Sequence, residues 1–326
     1  MIEKIKNSTF LITGGAGFIG SNMVELLLNK GAKHVRVLDN LSNGYHSNIE
    51  PFLGHLNFEF IKGDIRDLET CKKAVDGIDY ISHQAALGSV PRSVEDPITS
   101  NDVNIGGHLN MLVAAKESIQ LIRMVYAASS SSFGDSEALP KVEGNEGKPL
   151  SPYAVTKWVN ELYGDVFSRV YGLHTIGLRY FNIFGPKQNP NNPYAAVIPL
   201  FMKAALEGTS PKINGDGTNS RDFTYVENAL QANLKAMLET PNLEKHEVVN
   251  IAVGDRTNLL ELWQAIANAG GTDVQPIFCP PRAGDIPHSL ASIEKAKKLF
   301  GYDPLVRLPE GVQRTFDWFK DNFKAC

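Results

Sequence analysis

The sequence predicts an α/β fold in which a doubly wound parallel sheet is joined to a smaller, partly interleaved α/β lobe. In the first half of the chain, short β-rich runs alternate with longer helical patterns, which implies right-handed βαβ units. Several runs are almost continuously apolar, as expected for strands that helices cover on both faces. The predicted strands are Thr9–Thr13, His34–Asp39, Asn57–Lys62, Tyr80–Gln84, Met124–Ala128 and His174–Arg179. The predicted helices are Phe18–Lys30, Leu68–Val75, Val103–Glu117 and Pro152–Tyr171.

The pattern changes after about Arg179, where Pro and Asn crowd into residues 181–199 and a Gly/Asn-rich turn follows at 213–223. Thr257 is expected to cap a helix that ends at Gly270-Gly271, because Thr is a good N-cap and Gly commonly follows the last helical residue. Amphipathic helices are predicted in residues 292–302 and 310–320.

We expect the large sheet to occupy residues 1–181 and the smaller lobe to occupy residues 182–326. The two are expected to interleave within about 222–252. In that region Phe223–Met237 and Glu247–Ile251 have the patterns of elements that could rejoin the large sheet.

Composition excludes several classes of protein. The 326 residues are 43% hydrophobic and 21% charged, with a net charge of −4, which favours neither nucleic acid nor an anionic membrane as a partner. No apolar run approaches the ~20 residues that cross a bilayer, and the N-terminus has no signal-peptide pattern. The isolated cysteines Cys71, Cys279 and Cys326 show no metal spacing, so we expect a cytoplasmic protein without a metal site.

Residues 9–31 are predicted to form a strand, a glycine turn and a helix, with Gly14, Gly17 and Gly20 spaced G-x-x-G-x-x-G. Glycines in this context allow a tight turn and let the backbone approach a pyrophosphate. The helix N-terminus offers free N–H groups to the phosphates. The pattern therefore predicts a Rossmann-type dinucleotide site.

Asp39 ends the second predicted strand, about twenty residues after the glycine turn. Its carboxylate would accept hydrogen bonds from ribose hydroxyls and repel a 2′-phosphate, which favours NAD over NADP. Other predicted cofactor residues follow strand ends or open helices, where ligands bind in open α/β sheets. They are Phe18, Ile19, Asn40, Asp64, Ile65, Gln84, Ala85, Ala86 and Asn104.

A catalytic pattern follows the fifth predicted strand. Tyr153 and Lys157 are four residues apart at the start of a predicted helix, so they share one face. The ammonium group and a cationic nicotinamide would stabilise a phenolate and lower its pKa from about 10. Ser129, at the end of the strand, could orient a substrate alcohol.

These motifs, with RYFNIFGP at 179–186, resemble the extended short-chain dehydrogenase/reductase family of nucleotide-sugar enzymes over essentially the whole chain. Residues 83–101, 151–163, 213–223 and 282–293 are similar to the UDP-N-acetylglucosamine 4-epimerases, a branch related to UDP-galactose 4-epimerase. The resemblance implies an NAD-binding domain at 1–181, a nucleotide-sugar-binding lobe at 182–326 and a 4-epimerase of UDP-sugars, most simply UDP-GlcNAc and UDP-GalNAc.

The resemblance also assigns residues. Ser129, Tyr153 and Lys157 match the family's catalytic triad, and Tyr180 would lie against the nicotinamide, as would Phe181. Arg221 and Arg282 match the arginines that hold the diphosphate, a role that suits guanidinium groups. The other implied substrate residues are Gly88, Ser89, Ser129, Ser130, Ser131, Asn182, Gln188, Ala195, Ala196, Val197, Asn214, Asp285 and Ser289.

Two further features bear on substrate and assembly. Ser289 stands where family members that handle only unsubstituted hexoses usually have a bulky aromatic side chain, so its small size leaves room for a 2-acetamido group. Phe133 replaces a usual Tyr and loses only the hydroxyl. The resemblance also implies a homodimer that pairs the helices at 103–117 and 152–171.

Three alternatives are open on the sequence alone. A 4,6-dehydratase on this scaffold typically has Asp-Glu directly after the strand-five hydroxyl, where this chain has Ser130-Ser131. A UDP-sugar decarboxylase usually has an acidic residue near the same point. A non-catalytic NAD-binding protein would have no need for Ser129, Tyr153 and Lys157 together.

Overall fold

A computed structural model describes residues 1–241, 246–281 and 286–323. Its centre is a seven-stranded sheet in the order β11-β6-β5-β4-β1-β2-β3, in which every neighbouring pair is parallel. These strands are β1 Thr9–Thr13, β2 His34–Asp39, β3 Phe58–Lys62, β4 Tyr80–His83, β5 Arg123–Ser129, β6 Thr175–Tyr180 and β11 Glu247–Ile251. Six short strands form two-stranded sheets: β7 Ile183–Phe184 with β10 Thr224–Tyr225, β8 Lys212–Asn214 with β13 Ile277–Cys279, and β9 Ser220–Arg221 with β12 Thr257–Asn258.

The predicted parallel sheet is confirmed, with strand ends that move by no more than one residue. The chain runs outward from β1 in both directions, to β2 on one side and to β4 on the other. This reversal creates a crevice at the carboxyl ends of β1 and β4, which is where open α/β sheets bind ligands.

The residues that the structure describes contain twelve α-helices. They are α1 Ile2–Lys6, α2 Phe18–Asn29, α3 Leu68–Val75, α4 Val90–Glu95, α5 Pro97–Asn101, α6 His108–Glu117, α7 Pro152–Tyr171, α8 Val197–Glu207, α9 Val226–Leu238, α10 Leu259–Gly270, α11 Glu294–Phe300 and α12 Leu308–Asn322. Helices cover both faces of the sheet, and the side chains of β1 alternate between the two cores. Phe10 and Ile12 pack in the core that includes α2 and α9, whereas Leu11 packs in the core that includes α3 and α6.

The later part of the chain returns to the large sheet. Strand β11 pairs with β6 in parallel, which confirms the prediction for Glu247–Ile251. The segment predicted as Phe223–Met237 forms α9, which packs against β4, β5 and β6. The boundary between residues 181 and 182 stays a prediction.

Two local predictions were wrong. Thr257 does not cap α10, because it is still extended and pairs with Arg221. Asn258 is the cap: its side chain accepts the Glu261 N–H at 2.8 Å, and the Glu261 carboxylate accepts the Asn258 N–H at 3.0 Å. The helix ends at Gly270, and Gly271 caps it in a left-handed conformation, which confirms the predicted end at Gly270-Gly271.

The predicted helix Val103–Glu117 is also interrupted. Residues Asp102–Gly107 form a π-helical turn before α6 begins at His108. Helices α4 and α5, which lead into this turn, and α8 in the smaller lobe were not predicted. No helix in the described ranges is long and apolar enough to cross a bilayer.

Candidate active site

The glycine turn joins β1 to α2 and leaves no room for a side chain at Gly14 or Gly20. A Cβ atom at Gly20 would lie 2.2 Å from the carbonyl oxygen of Gly14, and one at Gly14 would lie 2.8 Å from the backbone nitrogen of Ala85. Gly14 also has a φ of +66°, which favours glycine. The backbone of β1 therefore lies directly beside the end of β4, and the first turn of α2 presents N–H groups that lack i−4 partners.

The carboxylate of Asp39 holds the walls of this crevice together. It accepts hydrogen bonds from the backbone N–H groups of Ala16 at 2.9 Å and Leu41 at 2.8 Å. Burial raises the pKa of this carboxyl, and the two amide bonds partly offset that effect. Arg66 is the main reason that the pKa of Asp64 falls to about 2, and Asn40 donates to the same carboxylate at 2.9 Å.

A cavity of about 100 Å³ brings together most of the residues predicted to bind the cofactor. Its walls include Gly14, Gly17, Asp39, Asn40, Asp64, Ile65, Gln84, Ala85 and Ala86. They also include Ser42, Asn43 and Gly44, which the sequence analysis missed. Glycines that leave space for a pyrophosphate, together with a carboxylate at the end of β2, fit a dinucleotide. Asn104 is instead buried and bonded to protein, with its side chain held by Leu87 and Thr156.

A second cavity, of about 500 Å³, contains the predicted catalytic group. Ser129, Tyr153 and Lys157 line it together with Gly17, Phe18, Ile19, Gly20 and Tyr180. The Lys157 ammonium lies 5.8 Å from the centre of the Tyr153 ring and donates a 2.7 Å hydrogen bond to the carbonyl of Ala127. The structure therefore brings the three side chains to one wall, beside the glycine turn.

The charges of this group depend on burial. Burial raises the pKa of the Tyr153 phenol, and its hydrogen bond with Ser129 lowers it. Burial also lowers the pKa of Lys157 to about 8, although the negative charge of Glu161 acts to raise it. Lys157 thus remains mostly cationic at neutral pH, and a second positive charge from a bound nicotinamide would favour the phenolate further.

Two contacts fix the start and the middle of α7. Ser93 is fully buried, and its hydroxyl accepts the backbone N–H of Tyr153 at 3.0 Å. Arg179 on β6 donates to both carboxylate oxygens of Glu161 at 2.9 and 2.6 Å, one turn beyond Lys157. Ser93 carries no periodic or motif signal in the sequence, so its role was not predicted.

Tyr180 is held by a polar cluster beneath the same cavity. Its hydroxyl accepts from the side-chain amide of Asn233 at 2.7 Å and donates to Gln84 at 3.2 Å. Burial raises the pKa of Tyr180 to about 12, so the phenol stays neutral. Asn233 was missed, although a buried polar residue within the apolar face of α9 is a signal that could have drawn attention to it.

A third cavity, of about 670 Å³, adjoins the catalytic one. Its walls include the predicted substrate residues Ser89, Asn182, Gln188, Ala195, Ala196, Val197, Asn214 and Arg221. Ser89 and Asn182 line both cavities and have positive φ values of +109° and +39°, conformations that concentrate at functional sites. Gly88 lines the catalytic cavity but not the 670 Å³ cavity.

Several predicted substrate residues are placed differently. Within the described part of the chain, Ser130, Ser131 and Ser289 line neither the catalytic cavity nor the 670 Å³ cavity. Ser131 instead bonds to Ser129, and the backbone N–H of Ser289 donates to Ser220 at 3.0 Å, beside Arg221. The side chain of Gln188 is used within its own turn, bonding to Gly185 and Ile183. Arg282 and Asp285 lie outside the described residues.

The model of the NAD dependent epimerase/dehydratase family matches residues 10–252. The chain belongs to this family. A curated family member, a putative UDP-glucose 4-epimerase of Methanocaldococcus jannaschii, is 37% identical over 314 residues, covering 96% of this chain and 98% of that protein. The chain is therefore an NAD-dependent enzyme of the UDP-sugar epimerase family, as the sequence predicted.

Solved structures of this epimerase family agree with the fold. A UDP-N-acetylglucosamine 4-epimerase from Methanobrevibacter ruminantium, in complex with UDP-N-acetylmuramic acid, superposes with a TM-score of 0.90 at 37% identity, covering 97% of this chain and 99% of that one. A UDP-glucuronic acid 4-epimerase from Bacillus cereus, solved with UDP-glucuronic acid and NAD, has a TM-score of 0.89 at 30% identity, covering 97% and 100%.

Other reactions occur among the relatives. A UDP-N-acetyl-α-D-glucosaminuronate decarboxylase of Bacillus cytotoxicus is 32% identical over 95% of this chain and 97% of its own length. A dTDP-glucose 4,6-dehydratase of Streptomyces venezuelae, solved with NAD, has a TM-score of 0.87 at 28% identity, covering 96% of this chain and 97% of that one. The reaction must therefore be argued from the site.

Proposed function

We propose that this enzyme is a 4-epimerase that interconverts UDP-GlcNAc and UDP-GalNAc through a 4-keto sugar. The observation that carries the proposal is the convergence of Ser129, Tyr153 and Lys157 on one cavity beside the glycine turn. The adjoining 670 Å³ cavity provides a place for the nucleotide. The isolated cysteines favour a reducing cytoplasm as the site of this activity.

Each side chain has a defined task. Tyr153 takes the proton from the sugar 4-hydroxyl and later returns a proton to the same oxygen. Lys157 stabilises the phenolate by its charge, and Ser129 donates a hydrogen bond that orients the reacting oxygen. When bound along the glycine turn, NAD supplies the acceptor and later the donor of the C4 hydride.

Inversion requires the sugar to turn between the two halves of the reaction while the nucleotide stays in place. Arg221 is suited to hold the diphosphate, because it lines the 670 Å³ cavity and its guanidinium is already oriented by the carbonyl oxygens of Ser220 and Pro287. The glycine turn holds the cofactor on the opposite side. The catalytic cavity lies between these two anchors.

The choice of N-acetylated sugars rests on the size of Ser289. This serine does not itself line the cavities, but its backbone bond to Ser220 holds it next to Arg221. A small side chain at this position would leave volume for the methyl amide of a sugar nucleotide bound at Arg221. The likeness to a UDP-N-acetylglucosamine 4-epimerase supports the same choice.

The features of the site disfavour a dehydratase. A dehydratase needs an acid and a base for elimination of water, which the family places directly after the strand-five hydroxyl. Ser130 and Ser131 occupy those positions in this chain and offer only hydroxyl groups. Neither hydroxyl has the pKa of a carboxyl acid or base.

We further propose that the enzyme acts as a homodimer. Helix α7 carries Leu162, Val166 and Val170 at four-residue spacing, and they are 57%, 40% and 63% exposed. Ile98 on α5, which packs beside α7, is 73% exposed. A contiguous apolar face of this kind favours burial against a second copy. Sedimentation of the purified protein tests this.

The proposed reaction is tested by incubating purified enzyme with four UDP-hexoses in turn, namely UDP-GlcNAc, UDP-GalNAc, UDP-glucose and UDP-galactose, without added cofactor. We expect rapid interconversion of the two acetylated sugars, followed by NMR. Tyr153→Phe should abolish turnover and leave UDP binding intact. Product that forms only in proportion to the NAD(H) consumed would overturn the proposed epimerase reaction. Turnover of only UDP-glucose and UDP-galactose would overturn the proposed choice of substrate.

A further inference from the structure

Two groups of Ser131 lie within hydrogen-bonding distance of the Ser129 hydroxyl. The backbone N–H of Ser131 donates to it at 3.1 Å, and the Ser131 hydroxyl oxygen lies 2.9 Å from it. The phenol of Tyr153 lines the same cavity, and its interaction with Ser129 lowers the pKa of the phenol. Ser129 itself is buried at the end of β5.

The number of protons available decides the direction of these bonds. A serine hydroxyl has one proton to donate and two lone pairs to accept with. In the proposed reaction Ser129 donates its single proton to the sugar 4-oxygen, so it can only accept hydrogen bonds from Ser131. The N–H of Ser131 fills one lone pair of Ser129, because an N–H can only donate. The Ser131 hydroxyl must then donate to the other lone pair, since two lone pairs would otherwise face each other at 2.9 Å.

We propose that Ser131 is a positioning residue for catalysis, whose hydroxyl fixes the proton of Ser129 in the direction of the sugar 4-oxygen. The inference rests on the proposed epimerase function. It goes beyond the sequence resemblance, which places Ser131 only against the sugar. Ser131 acts through Ser129, and no bond to the substrate is needed for this role.

The neighbouring serines do not share this arrangement. The hydroxyl of Ser132 donates instead to the carboxylate of Glu161 at 3.3 Å. Among the described residues, the hydroxyl of Ser129 bonds to Ser131 and not to the hydroxyl of Ser130. The short 3-10 turn Ser130–Phe133, which Ser129 caps, is what brings residue 131 back onto the cap.

The test compares Ser131→Thr with Ser131→Val, which have nearly the same shape and differ in one hydroxyl group. We expect Ser131→Thr to keep kcat within about twofold of the wild type. Ser131→Val should lower kcat by about tenfold, as for loss of one hydrogen bond to a charged site. In both variants the KM for UDP-GlcNAc and the affinity for UDP should stay within about twofold of the wild-type values, because the residues proposed to bind the nucleotide are unchanged. Ser131→Ala replaces Ser131→Val if the latter does not fold.

Two outcomes would overturn the inference. One is an unchanged kcat when the hydroxyl is removed. The other is a raised KM with an unchanged kcat, which would make Ser131 a contact of the sugar alone. Wild-type turnover is measured first and reports on the proposed function. If the wild type converts no UDP-sugar, both the proposed function and this inference are wrong. If the wild type is active and Ser131→Val has the same kcat, only the inference is wrong.

Discussion

The side-chain amide of Asn233 donates a 2.7 Å hydrogen bond to the hydroxyl of Tyr180, although the two residues lie on elements more than fifty positions apart. The same amide group accepts from Gln84 and from Ser82, both at 3.1 Å. Helix α9 thereby fixes the end of β6 relative to the end of β4. The ring of Tyr180 is held against the cavity by a polar cluster in which Ser82 and Asn233 are buried.

Asn233→Leu should weaken both stability and cofactor retention. The substitution leaves the buried hydroxyl of Tyr180 and the amide of Gln84 short of partners, which costs about 1–3 kcal/mol of unfolding free energy. Urea denaturation and the NAD content of purified protein measure the two effects. Gln313→Leu, which removes an exposed helix amide bonded to Asp317, is the matched control and should change neither. A variant with wild-type stability and a full complement of NAD would contradict the prediction.

Arg179→Met should be strongly destabilising. Arg179 is buried between the carboxylates of Glu161, which is buried, and Glu146, which is partly buried. Its removal leaves both acids without this counter-charge, at a cost of about 3–5 kcal/mol. Arg314 also bridges two glutamates, Glu227 and Glu310, but on the surface. Arg314→Met should cost less than about 1 kcal/mol. Equal losses in urea denaturation of the two variants would show that burial is not the deciding factor.

Asp222 should make the folding stability depend on pH between about 4 and 6. Burial raises the pKa of this carboxyl from 3.8 to about 6, although the N–H groups of Val253, Gly254 and Ala291 bond to it. In that window the folded protein holds a proton that the unfolded chain releases. The contribution of Asp222 to unfolding free energy therefore increases as the pH falls through 6.

The contribution is measured by urea denaturation of Asp222→Asn and the wild type at about pH 7 and pH 5. The wild type should gain about 1 kcal/mol relative to the variant on acidification. Asp273→Asn removes an exposed carboxylate, so its unfolding free energy should change with pH as that of the wild type does. If Asp222→Asn shows the same response to pH as the wild type, the raised pKa is not realised.

Ser289→Tyr should change substrate preference more than overall activity. A bulky ring at this position would occupy the space proposed for the 2-acetamido group. We expect kcat/KM for UDP-GlcNAc to fall at least tenfold, with UDP-glucose retained as a substrate, since misfit at a packed position costs ~1–3 kcal/mol. Ser292→Tyr offers a control in the same segment. Parallel loss of both substrates would contradict the specificity role of Ser289.

The sheet and the glycine turn could be predicted because their signals are local. The apolar runs that became β1 and β2 and the spacing of Gly14, Gly17 and Gly20 each lie within one short stretch of chain. Tyr153 and Lys157 could be paired by helical spacing alone. The capping of α10 was missed by one residue because Thr257 pairs with Arg221, a contact that neither segment reveals by itself.

The supporting residues of the site could not be predicted from local patterns. Ser93 acts on Tyr153, and Asn233 acts on Tyr180, only because distant elements are packed together. The hydrogen bond between the hydroxyls of Ser131 and Ser129 depends on the 3-10 turn that follows β5. A run of four serines does not specify that turn. Long-range packing decides these contacts, so they appear only in the folded structure.

The central claim is that one bound cofactor removes the hydride from C4 of a UDP-sugar and returns it to the same carbon. Enzyme is mixed with UDP-GlcNAc deuterated at C4 of the sugar, without added NADH, and the UDP-GalNAc formed is examined by NMR and mass spectrometry. The account predicts that the product keeps its deuterium at C4. Loss of the deuterium to solvent or to free NAD(H) would contradict it.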